Sequence, residues 1–170
     1  MKKIIFGLII FGLTIQTYGQ IKTEELSEVI ISATNYKYLN KVGLENVSVP
    51  VALLQQKVAG FDVKDAEFYS DEYDTYEVSF YIPDAYVLAS YDGDGNILRT
   101  AERYKNTALP RKVIESVART YPNWTFAKDV YLVSYHDAGN TGEITKRYKI
   151  VLKNGDKRIK VKCDEDGNFL

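Results

Sequence analysis

Asp92, Asp94 and Asn96 stand at alternate positions in YDGDGNIL (residues 91–98), separated by glycines. Oxygen-bearing side chains at every second position are how a calcium loop begins. Such a loop also wants glycine at its sixth position and glutamate at its twelfth. Counted from Asp92 those positions hold Ile97 and Arg103, and counting from the matching Asp164 runs past Leu170. Asp-Gly-Asn is better suited to a turn between two strands, where glycine and asparagine accept positive φ. Two turns without a metal are therefore expected.

Other chemistry finds little to work with. His136 is the single histidine, beside Asp137 in a stretch (136–143) that reads as a loop, so any serine–histidine–acid arrangement would depend on it alone. Zinc wants histidines and cysteines in groups, whereas His136 and Cys163 are one of each and far apart. Glu67, Asp71, Glu72 and Asp74 are plentiful carboxylates with nothing to set two of them across a cleft. Cys163 alternates with Ile159 and Val161, which makes it a buried small hydrophobe on a strand. Trp124 in YPNWTF reads as an anchor for a helix-to-strand loop. No catalytic residue, cofactor or metal ligand is assigned.

The elements that would carry these residues occur twice. YDGDGNIL matches CDEDGNFL 72 positions on; VPVALLQQKVAG (49–60) matches LPRKVIESVART (109–120) 60 positions on; KDAEFYS (64–70) matches KDVYLVS (128–134) 64 on. The growing offset places insertions near 121–125 and 136–143, where loops belong, and the pattern is that of an internal duplication. Each copy predicts a helix with Pro50 or Pro110 in its first turn. Leu54, Val58 and Phe61 in one copy, and Val113, Val117 and Tyr121 in the other, form its apolar face. A short strand (66–70 or 130–135) and a hairpin follow. The hairpins turn at Pro83-Asp84 and Asn154-Gly155, and Tyr76, Val78 and Phe80 alternate as Tyr148, Ile150 and Leu152 do. The expected fold is α+β, a tandem duplication of one helix on an antiparallel sheet, with repeats at 49–104 and 105–170.

Upstream, MKKIIFGLIIFGLTIQTYGQ has two lysines, an apolar run over 4–15 and small Gly19. That is the layout of a signal peptide (1–19), with Gln20 the expected mature N-terminus. The apolar run is shorter than the ~20 residues a membrane span needs. An exported protein, periplasmic or extracellular and without a span after cleavage, is expected. Segment 20–48 contains ELSEVIISA, which reads as a strand, and NYKYLNK, an edge or a short helix.

Charge divides the chain. Residues 20–98 hold 5 Lys/Arg against 14 Asp/Glu, and residues 99–170 hold 15 against 9. The near-neutral total of −1 conceals a strongly polar molecule. Strand alternation in the second hairpin sends Tyr148, Ile150, Leu152, Ile159, Val161 and Cys163 to the core. Lys149, Arg158, Lys160 and Lys162 then share the open face, where the first copy carries Tyr86, Leu88 and Ser90. This is the candidate binding face, suited to an acidic protein or envelope polymer; no nucleic-acid partner is expected.

The pattern LP…V…YPNW…AKDVYLVSY…YKIVLKNGDKRIKVKCDEDGNFL, within residues 49–170, resembles the PepSY-like family, also described as beta-lactamase-inhibitor-like. The resemblance implies small exported α+β modules, often in tandem, in the envelope of Bacteroidetes-type bacteria. Relatives by fold act as inhibitors or regulatory propeptide-type domains. It brings no catalytic set, and none is transferred. A nicotinate-nucleotide adenylyltransferase would need a His-x-x-His or Thr-x-x-His pair and a glycine-rich phosphate loop opening a helix, and neither is present. The leading expectation is a non-enzymatic protein- or peptide-binding module, inhibitory or regulatory. The alternative is a structural or stress-related envelope component with no discrete ligand.

Overall fold

The computed structural model describes residues 35–139 and 142–170. The signal peptide, the mature N-terminus at Gln20 and the strand expected in ELSEVIISA lie outside the described residues. NYKYLNK, open between edge and helix, is helical: α1 spans Tyr36–Val42 and buries Tyr38, Leu39 and Val42. A 3-10 turn (Leu44–Asn46) leads to α2, Val49–Ala59, with Pro50 in its first turn. Val51, Leu54, Val58 and Ala59 are buried at the three-and-four spacing of one helix face.

The strands β1 (Thr75–Ile82), β2 (Ala85–Asp92) and β3 (Ile97–Lys105) follow, then α3 (Arg111–Thr120), β4 (Thr125–His136), β5 (Glu143–Asn154) and β6 (Lys157–Asp164). All six strands form one sheet in sequential order, each antiparallel to its neighbours. The fold is therefore mixed α+β. The expected boundary at 104/105 does not separate two sheets. It falls inside β3, which pairs with β4 from Arg99 to Lys105, and a single buried core runs through both halves.

Side chains alternate as the pleat requires. Tyr76, Phe80, Val87, Tyr104, Tyr131, Val133, Tyr148, Ile150, Leu152, Val161 and Cys163 belong to the buried core. Tyr104 and Tyr131 stack at 5.9 Å and Tyr131 and Tyr148 at 4.7 Å, so one row of rings crosses three strands. The hairpin tips are two-residue turns, Pro83-Asp84 and Gly155-Asp156, the second one residue beyond the Asn-Gly expected. Asp84 adopts φ +62° and Gly155 φ +57°, the left-handed values such tips demand.

One expected strand is absent. Residues 66–70 form successive turns, with Lys64 N–H donating to Asp62 Oδ1, Ala66 to the Val63 carbonyl and Tyr69 to the Ala66 carbonyl. These local bonds satisfy the backbone that a strand would present to a neighbour, and Phe68 is left 53% exposed. The matching stretch 130–135 lies within β4 as expected.

Candidate binding surface

Both Asp-x-Asp-Gly-Asn segments are turns, and they share one bonding scheme. Asp92 Oδ1 accepts the Asp94 and Asn96 N–H groups at 2.9 and 2.8 Å, while its Oδ2 accepts Asn96 Nδ2 at 2.8 Å. Asp164 receives Asp166, Asn168 and Asn168 Nδ2 at 3.0, 2.9 and 2.9 Å. The Asn168 bonds hold the Asp164 carboxyl below the usual carboxylate range. These acids are engaged by their own loops. Each turn is also fastened to a helix region. Asn35 Nδ2 donates to the Gly95 carbonyl at 3.0 Å and to that of Ala59 at 3.1 Å, and Ser116 Oγ donates to the Gly167 carbonyl at 2.8 Å.

The helix-free face of the sheet gathers the cations. Lys149 stands directly across from Lys162, and Lys153 from Arg158; Lys160 lies between, opposite Val151. Like charges at opposed positions disfavour the pairing that places them there. Lys149, Lys153, Arg158, Lys160 and Lys162 are exposed and make no ion pair among the described residues. The alternation therefore places the expected cations together.

Tyr86 and Leu88 share this face but not this neighbourhood, because β3, β4 and β5 lie between β2 and β6. Tyr86 packs against Tyr81 at 4.9 Å and stands opposite Arg103, which faces Leu132 and then Arg147 across the sheet. Tyr86, Arg103, Leu132 and Arg147 line a shallow hollow of ≈ 410 Å³. Arg103 and Arg147 thus connect the tyrosines to the cationic edge. Sequence reasoning overlooked both, since only strand order brings them side by side; their outward parity on β3 and β5 was the available signal.

On the opposite side, a groove of ≈ 1030 Å³ lies between α1 with its 3-10 turn and the start of α3. Its floor is the Tyr131–Tyr148 stack, and Lys146 pairs with Glu165 across it at 3.1 Å. Burial pushes the Tyr148 phenol up to about 12 and the Tyr131 phenol higher, so neither serves as a base near neutrality.

The residues weighed for catalysis stay apart. His136 ends β4 instead of lying in a loop, because its backbone pairs with Arg99 and Glu143. Cys163 is fully buried, and burial raises its thiol above the ordinary value. Trp124 is half-buried and packs against the core, as an anchor does. The unexpected polar group is Glu102, 3% exposed on the core face. One of its oxygens accepts Tyr38 and Thr100 hydroxyls, both at 2.7 Å; the other accepts Tyr104 at 2.7 Å and Gln55 Nε2 at 2.8 Å. Sealed under α1 and α2, it joins helices to sheet. Its parity with Thr100 and Tyr104 in ILRTAERYK was the signal for burial.

Among the described residues, no group of three or more histidine, cysteine and acidic side chains could hold a metal, and no helix is long and apolar enough to cross a membrane. No family model matches the chain, and no curated protein or solved structure shows significant similarity to it.

Proposed function

We propose that this chain is an exported, non-enzymatic binding module whose open sheet face captures an acidic protein or peptide in the periplasm or outside the cell. The observation that carries the reading is the unpaired cation cluster Lys149, Lys153, Arg158, Lys160 and Lys162, held at opposed positions on β5 and β6. Repulsion within that cluster is relieved by an anionic partner. We further read the architecture as a duplicated PepSY-like unit. The shared bonding of the Asp92 and Asp164 turns supports this, as does a helix preceding a hairpin in each half.

Reversing Lys160 and Lys162 to glutamate is expected to leave the fold intact, as judged by circular dichroism, and to weaken capture of an acidic partner about tenfold at low salt. Added salt should weaken the parent in the same direction. A double variant that binds as the parent does removes this face as the site. Recovery of a chain beginning at Gln20 from the exported fraction tests the compartment.

A structural or stress-related role without a discrete ligand is the second reading. Its support is that β6 is an edge strand among the described residues, and lysines on such a strand also discourage aggregation.

A further inference from the structure

The residues that follow the two Asp-Gly-Asn turns pair differently. After the first Asp-Gly-Asn turn, β3 runs along β2 as far as the Ala85–Tyr104 pair. After the second turn, residues 169–170 pair with the C-terminal end of β6: Phe169 bridges Cys163, and Leu170 N–H donates to the Lys162 carbonyl at 3.0 Å. That bond fixes the direction of the β6 backbone. The Lys162 carbonyl points away from β5, and because strand groups alternate, the N–H and C=O groups of Lys160 and Arg158 point outward as well. The β5–β6 register is continuous from Asp164 to Lys157, so no bulge reverses this. Among the described residues nothing pairs with the outer edge of β6 at Arg158 and Lys160.

We propose that this edge accepts an added strand from the partner, an extended peptide segment that alternates acidic and apolar residues. The inference rests on the reading of the open face as a binding surface and adds the mode of capture. Main-chain bonds to Arg158 and Lys160 would supply affinity, and alternate side chains would supply specificity. On the open side the strand lies beside Arg158, Lys160 and Lys162 and takes acids. On the helix side it lies beside Ile159 and Val161 and takes apolar residues. The same charge argues against a second copy of this chain presenting its own β6, which would set cations against cations.

The experiment uses the protein with a short synthetic peptide alternating glutamate and valine, and a second peptide of the same sequence methylated on alternate backbone nitrogens. Tight binding of the first, with a loss of about fivefold or more per blocked N–H in the second, is expected. Lys160→Gln and Lys160→Pro both remove the cation, and only the second removes the outward N–H. Proline is tolerated at such an edge position, so Lys160→Pro should bind more weakly than Lys160→Gln.

Equal binding of the two peptides, or of the two variants, overturns strand addition while leaving an electrostatic site on the face. A sulfated polysaccharide that binds where neither peptide does also overturns it. If neither peptide nor polymer binds at low salt, both readings fail. Concentration-dependent chains formed without peptide, and abolished by Lys160→Pro, assign the edge to a second copy and overturn the peptide.

Discussion

Gly95 and Gly167 hold the same backbone conformation, with φ of +83° and +84°, but face different surroundings. A Cβ built on Gly95 meets nothing within 4 Å. On Gly167 it lies 2.7 Å from the Lys112 carbonyl oxygen and 2.9 Å from Ser116 Cβ. The turn at Gly167 is pressed against α3, where Ser116 also donates to the Gly167 carbonyl. Left-handed backbone alone costs a side chain ~1–2 kcal/mol. Gly95→Ala should therefore lose about 1 kcal/mol in urea denaturation. Gly167→Ala should lose that and roughly 1–3 kcal/mol more, because backbone, not a flexible side-chain end, must give way. Equal losses in the two variants would mean that α3 yields freely.

At the scale of elements, Glu102 decides how α1 and α2 sit on the sheet. Its carboxyl group gathers Tyr38 from α1, Gln55 from α2, and Thr100 and Tyr104 from β3. Glu102→Gln keeps the size but turns one acceptor oxygen into a donor amide aimed at donors, leaving buried groups unmatched at ~1–3 kcal/mol each. The expected result is a loss of about 2 kcal/mol, with hydrogen-exchange protection falling in α1 and α2 and unchanged in β5 and β6. Arg103→Gln, exposed on the next residue, should change stability by less than about 0.5 kcal/mol. Protection that falls evenly across the sheet would contradict this helix-docking role.

The same elements show which features are legible in sequence. Both hairpins were, since period-two alternation and their turn residues agree. Residues 66–70 were not: KDAEFYS matches KDVYLVS by letter, yet Asp62 and the following local bonds make it a set of turns. The union of the two halves into one sheet was hidden because α3 intervenes between β3 and β4. Glu102 was hidden because a charged residue in a strand ordinarily faces water. In the candidate face, Lys149, Arg158, Lys160 and Lys162 were readable from alternation within one hairpin. The continuation through Arg147 and Arg103 to Tyr86 requires the order of all the strands.

Across the whole molecule, tyrosine does much of the packing that joins helices to sheet. Tyr38 meets Tyr135 edge-on at 5.4 Å, Tyr91 donates to the Val58 carbonyl at 2.7 Å, and Tyr104, Tyr131 and Tyr148 form the stacked row. Burial is the leading cause that lifts the phenols of Tyr38, Tyr91, Tyr104, Tyr131 and Tyr148 above the ordinary 10.0. For Tyr38 and Tyr104 the Glu102 carboxyl acts in the same direction. The native state therefore keeps these protons after the unfolded chain has released them. Their contribution is fully present below pH 10 and is lost as pH rises through the raised folded values. Stability should be level in this respect up to about pH 10 and then fall, each phenol contributing up to about 1.4 kcal/mol per pH unit. An alkaline titration that follows phenolate absorbance and circular dichroism together tests this. A step of phenolate formation should coincide with loss of the folded signal. If every phenol titrates smoothly near pH 10 while the fold persists, the tyrosine row is open to water, and the helices do not seal the sheet as described.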